Sequence, residues 1–137
     1  MMTPHGRSRT GSLRRWPARL LVVLWIAAFI ATHLPKRHVP ETHVSDRTLH
    51  AVGYFLLGGL FLVTLIARGV GRVRRVGIAL AVLCAYAAVD EITQPLVSRH
   101  ASLWDWLADV VGVVAAVLVC ELAAALLKRR PTGARPG

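Results

Sequence analysis

Apolar residues fall into four long runs divided by short polar stretches: Leu20–Leu34, Thr48–Ala67, Val76–Gln94 and Trp104–Leu127. A helix needs about 20 predominantly apolar residues to cross a bilayer, rising 1.5 Å per residue. The last three runs meet that length. The first is shorter, but with Pro17 included it reaches about 27 Å. The pattern therefore predicts an all-α membrane protein, a bundle of four transmembrane helices. A basic stretch before an apolar run also fits a cleaved signal peptide. No small-x-small site precedes Lys36, which favours a retained helix, and Arg14-Arg15 matches a twin-arginine signal only weakly because Trp16-Pro17 follows. Pro95 closes the third run, since proline cannot extend a helix without losing a hydrogen bond.

Composition agrees with the pattern. Of 137 residues, 55% are hydrophobic and 18% charged, and the mean hydropathy is +0.52, a balance foreign to a soluble domain. A net charge of +10 would in a soluble chain suggest nucleic acid. Here the bases are sorted between loops and aromatic residues sit at run boundaries, so the partner implied is the lipid bilayer and no nucleic acid. With the N-terminus inside, the inner segments hold five, four and four Lys/Arg, thirteen of the seventeen. The outer loops keep Lys36, Arg37, Arg47 and Arg99. The positive-inside rule then predicts cytoplasmic termini: a basic arm (1–19), a four-helix membrane domain (20–127) and a basic tail (128–137). Arg68, Arg72, Arg74 and Arg75 are expected to form the inner loop.

That orientation puts six of the polar residues that stand out, Asp46, His50, Asp90, Glu91, Asp105 and Asp109, toward the outer side. Only Glu121 remains near the inner face, where it would snorkel toward Lys128 or water. Residues four apart share a helix face. This aligns Asp46, His50, Gly53, Tyr54 and Leu57 on the second helix, Tyr86, Asp90 and Gln94 on the third with Glu91 turned aside, and Asp105, Asp109, Gly112 and Ala116 on the fourth. Small residues spaced by four allow close approach of helices; Ala108, Gly112 and Ala116 form one such stripe, and Gly77, Ala81 and Ala85 another. The polar faces are thus expected to meet inside the bundle near the outer surface. Interhelical hydrogen bonding alone needs amides or hydroxyls, whereas this set holds four carboxylates, a histidine and an arginine, each costly to desolvate. His33, His38, His43 and His100 are expected to be solvated at the outer boundary. Cys84 and Cys120 read as small hydrophobes at one depth.

Asp46-Arg47-x-x-His50-x-x-x-Tyr54 resembles the D-[KR]-x-x-H-x-x-x-Y opening of the VanZ-like family. Asp90-Glu91-x-x-Gln94, followed by Arg99, Ser102, Asp105 and Gly112, resembles its second block, D-E-x-x-Q…R-x-x-S-x-x-D-x-x-x-N-x-x-G. Asp109 stands where that pattern has asparagine. The likeness covers residues 46–112, about half the chain. It implies a small multi-pass protein of the bacterial cytoplasmic membrane whose namesake is associated with teicoplanin resistance. It brings no catalytic residues and no cofactor.

Three functions fit these residues. The first is an outer-facing pocket formed by Asp46, Arg47, His50, Tyr54, Asp90, Glu91, Gln94, Arg99, Ser102, Asp105 and Asp109, binding a lipid-linked or cell-wall-related ligand. Arg47 and Arg99 would supply cations for phosphate or carboxylate, with Trp104 and Trp106 at headgroup level. The second is an intramembrane enzyme. His50 would act as acid or base, oriented by Asp46 or Asp90, with Glu91 as partner. Such donors suit zinc or manganese, but no spacing matches a metal motif, so no metal is assigned. The third is proton or ion transport, disfavoured because the inner halves hold only Cys84, Cys120 and Glu121 as a relay.

Overall fold

The computed structural model describes residues 16–34 and 44–129. Within them lie four helices: α1 (Trp16–His33), α2 (Asp46–Ala67), α3 (Arg72–Thr93) and α4 (Leu103–Arg129), with a short 3₁₀ turn (Gln94–Val97) between the last two. All four are long and apolar enough to cross a membrane. The helix bounds differ from expectation at the basic ends. α1 begins at Trp16, inside the expected arm, and α4 runs through Lys128 to Arg129. Arg72, Arg74 and Arg75 belong to the first turn of α3 rather than to a loop. The remainder of the expected arm and tail, and Lys36, Arg37, His38 and His43, lie outside the described residues.

Local chemistry sets the boundaries. Ser45 caps α2, its hydroxyl accepting the Thr48 N–H at 3.2 Å. At the other end, Gly69 takes a left-handed conformation with φ 74°. Gly69 donates to the Ile66 carbonyl and Val70 to that of Leu65, the paired bonds that end a helix at a glycine. Past Thr93, Pro95 has no N–H to give, and the chain tightens into the 3₁₀ turn. Ser98 ends that turn at φ 61°, and the Arg99 N–H returns to the Gln94 carbonyl. Ser102 then starts α4, accepting the Asp105 N–H on its hydroxyl at 3.3 Å.

α2 is the central helix: 39% of its membrane-length window is buried, against 11% for α1. Its Tyr54 and Leu57 pack with Leu83 and Ala87 of α3 and Val113 of α4, and Leu62 packs with Ala79 and Ala116. Gly112 permits the α2–α4 contact, for a Cβ there would collide with the Ala51 carbonyl oxygen. At Gly58 a Cβ would stand 3.1 Å from that of Ala116. Such close backbone approach is how membrane helices gain packing when lipid is as apolar as the core. The other expected stripe does not act this way. Gly77, Ala81 and Ala85 are exposed, and α3 packs instead through Ala79, Leu83 and Ala87. The outward faces carry Val22, Ile26, Val111, Leu118 and Leu122, as lipid-facing surfaces do.

α1 attaches differently. Pro17 and Leu21 are its only buried residues, and Trp25 makes edge contacts with Tyr86, at 4.9 Å between ring centres, and with Phe61 at 6.0 Å. Its C-terminal turn is held by polar contacts, and these belong to the site.

Candidate functional site

The apolar pattern orders the helices so that the polar ends of α2, α3 and α4 lie at one end of the bundle, beside the 3₁₀ turn. Asp90 and Glu91 are neighbours about 100° apart on α3, so they serve different partners. Both are buried, at 1% and 5% exposure, and Asp109 is wholly buried. Three carboxylates in one apolar bundle end set the electrostatics of the site.

Glu91 faces α2 and α4. Its Oε1 accepts from the Gln94 side-chain amide at 3.1 Å, and its Oε2 accepts the Ser102 backbone N–H at 2.8 Å. The second bond satisfies the capping residue of α4, a task usually given to an acid three residues further along the same helix. Glu91 thereby ties the start of α4 to the end of α3. His50 Nδ1 lies 2.9 Å from Asp109 Oδ1 and 3.9 Å from Glu91 Oε1. Asp109 Oδ2 is buried with no hydrogen-bond partner among the described residues. The partner that orients His50 is thus Asp109. Asp46 and Asp90, the expected orienting groups, have other contacts.

Asp90 faces α1. Its Oδ1 accepts from the Thr32 hydroxyl at 2.8 Å and sits 3.5 Å from His33 Nδ1, while its Oδ2 is buried without a hydrogen-bond partner among the described residues. His33 Nε2 meets the Thr93 hydroxyl at 2.9 Å. His33 is therefore half-buried and engaged, not solvated as expected; His100 is exposed. Thr32, His33 and Thr93 are the site residues that sequence reasoning missed. Their signal was faint: they lie at the same ends of their helices as the acids.

Arg99 closes the top. Its guanidinium donates to the carbonyls of Ala31 and Thr32, at 3.3 and 3.0 Å, and to Asp46 at 3.2 Å. It joins the end of α1 to the start of α2, and its buried Nε has no hydrogen-bond partner among the described residues. Arg47 does not join it. That side chain is exposed, 5.6 Å over the Trp104 ring and 4.0 Å from Asp105. Trp106 reaches into the bundle, its indole N–H donating to the Cys84 carbonyl at 3.4 Å.

Between α1 and α2 lies a cavity of about 210 Å³, lined by Ala28, Thr32, Asp46, His50, Tyr54 and Arg99 among others. His50 presents its ring there with Nδ1 already committed to Asp109, leaving Nε2 for the cavity. Of the eleven expected site residues, Asp46, His50, Tyr54 and Arg99 line this cavity. Glu91, Gln94, Ser102 and Asp109 form the layer that holds His50, and Asp90 secures α1 beside it. Arg47 and Asp105 lie at the edge.

The opposite end of the bundle has its own ion pair. Arg75 Nε and NH2 donate to the two Glu121 oxygens at 2.6 and 2.7 Å, Arg75 NH1 donates to the Val70 carbonyl, and Arg72 Nε stands 3.2 Å from Glu121. Glu121 does not snorkel to Lys128 or water but pins α4 to α3. Both cysteines are free thiols.

Compared with protein-family models, curated proteins and solved structures, the chain matches none.

Proposed function

We propose that this chain is a multi-pass protein of the bacterial cytoplasmic membrane, similar to the VanZ-like family, with both termini inside. Its outer-facing cavity binds the polar head of an envelope lipid or lipid-linked cell-wall molecule, and so affects the envelope or antibiotic response. The observation that carries this reading is the mixed lining of the cavity. Arg99, His50, Thr32 and Asp46 line it together with the apolar Ala28, Leu49 and Gly53. Its volume, about 210 Å³, is below the ~300–1,000 Å³ of pockets that enclose whole drug-sized ligands. It suits a headgroup whose tail remains along the apolar exterior. Arg99 and the His50 ring supply the donors for a phosphate or carboxylate.

Retention of a polyprenyl phosphate by the full chain, followed by native mass spectrometry, tests this. The phosphate lipid should be retained over diacylglycerol, and Arg99→Ala should lose it while elution and helicity stay normal. Equal retention by the folded variant would end the proposal.

A second reading rests on the Asp109–His50 contact. A buried carboxylate at 2.9 Å fixes the imidazole orientation, as in acid–base sites, and would make the protein an intramembrane enzyme on the same substrate. Turnover of the retained lipid, absent in His50→Gln, distinguishes it from binding alone.

A further inference from the structure

Charge balance at the buried end of the bundle leaves something out. Asp90, Glu91 and Asp109 are all buried. Among the described residues, the guanidinium at this end is that of Arg99, which donates to Asp46 and two backbone carbonyls rather than to these three. Buried carboxylates persist when they are paired, protonated or bound to a metal. One oxygen of Asp109 has no hydrogen-bond partner among the described residues, although that residue is fully buried.

We infer that His50, Glu91 and Asp109 form a binding site for a divalent transition-metal ion of the zinc or manganese type. One donor atom from each of the three lies within 4.8 Å of the others. His50 Nδ1 is 2.9 Å from an Asp109 oxygen and 3.9 Å from a Glu91 oxygen. A zinc ion at ~2.0–2.1 Å from each ligand separates two ligand atoms by ~3 Å at a right angle and by at most ~4.2 Å. The His50–Asp109 and His50–Glu91 separations already fall in that range. The Asp109–Glu91 separation is within 4.8 Å. The contact that a proton bridges between His50 and Asp109 is one that an ion can bridge instead.

Glu91 is prepared for this role. Gln94 and the Ser102 N–H each hold one of its oxygens, the outer support that fixes a ligating carboxylate. The ion would offset the two carboxylate charges. A nitrogen donor with two carboxylates favours zinc or manganese over magnesium or calcium, which prefer oxygen alone. Three protein ligands leave a position open for water. The inference rests on the reading of this end as a ligand site for its purpose, though metal binding itself is measured without the lipid.

A second triplet, Asp46, His50 and Asp105, shares the histidine, but its acids are more exposed and one pairs with Arg99. The experiment separates the two. Full-length protein with a histidine-free tag is stripped with chelator in mild detergent, dialysed against zinc chloride, and measured by elemental analysis and thermal unfolding. Binding should reach one zinc per chain and raise the unfolding temperature. Glu91→Gln and Asp109→Asn should each weaken binding by about 100-fold or more. Asp46→Asn, Asp105→Asn and Glu121→Gln should leave it intact. Should Asp109→Asn fail to fold, Glu91→Gln and His50→Gln decide, with helicity as the control. Substoichiometric zinc, full binding by folded Glu91→Gln, or loss in Asp46→Asn and Asp105→Asn instead would each overturn the site. Loss of zinc with lipid retention preserved defeats this inference alone. The reverse result defeats only the lipid proposal.

Discussion

The two ends of the bundle both bury charge, and they differ in how completely it is paired. At the Glu121 end, both oxygens of Glu121 meet Arg75, Arg72 adds a second cation, and Arg75 also donates to the Val70 carbonyl. At the His50 end, one oxygen each of Asp90 and Asp109, the Arg99 Nε and the Tyr54 hydroxyl are buried without hydrogen-bond partners among the described residues. An unsatisfied buried group costs roughly 1–3 kcal/mol. In the proposed function their accumulation at one end is a place kept for a ligand: the Glu121 pair is a pin, and the His50 cluster is the candidate site.

Substitutions can break that contrast. The largest effect is expected at Gly112, which serves both ends because it sets the α2–α4 distance. Gly112→Leu drives a side chain into the Ala51 carbonyl. It should destabilise the bundle by about 3 kcal/mol or more, beyond the usual range for overpacking because backbone must move. Denaturation in mixed micelles measures it. Next comes the pin. Glu121→Gln leaves Arg75 buried with a weaker partner and should lower stability by about 1–3 kcal/mol, with lipid retention unchanged. A smaller and opposite change is expected at the site. Asp109→Asn removes an incompletely paired buried charge, so the metal-free protein should be as stable as the parent or up to ~1 kcal/mol more stable, while ligand binding falls. Stability traded against function is the usual mark of a working site. A result in which Asp109→Asn destabilises more than Glu121→Gln would erase the distinction between the ends. The smallest effect is expected at Gly77, where nothing lies within 4 Å of an added Cβ. Gly77→Ala should add only the ~1 kcal/mol of helix propensity at most.

Much of this was legible in the chain. Four apolar runs specify four helices because length and hydropathy are summed over many residues. Spacing by four specified the faces that bring His50, Tyr54, Asp109 and Gly112 inward. Spacing could not say which small-residue stripe would be used, since Gly77, Ala81 and Ala85 have the same period as Ala108, Gly112 and Ala116. The larger side chains decided it: packing Leu83 inward turns Gly77 outward. Basic residues misled in a different way. Arg72 and Arg75 looked like loop because charge is unfavourable in a span, and the buried Glu121 that makes a helical Arg75 acceptable lies 46 residues away. Thr32 and His33 were missed for the same reason, since the acid they serve, Asp90, is 58 residues from Thr32. Pairings across helices leave no local trace in a sequence.

The central claim is that the incompletely paired end of the bundle faces outward. A single cysteine placed by His100→Cys, at an exposed position, in protein with Cys84→Ala and Cys120→Ala, reports it directly. A membrane-impermeant maleimide added to intact cells should label that cysteine without permeabilisation. Labelling only after the membrane is opened would place the site in the cytoplasm and contradict the account.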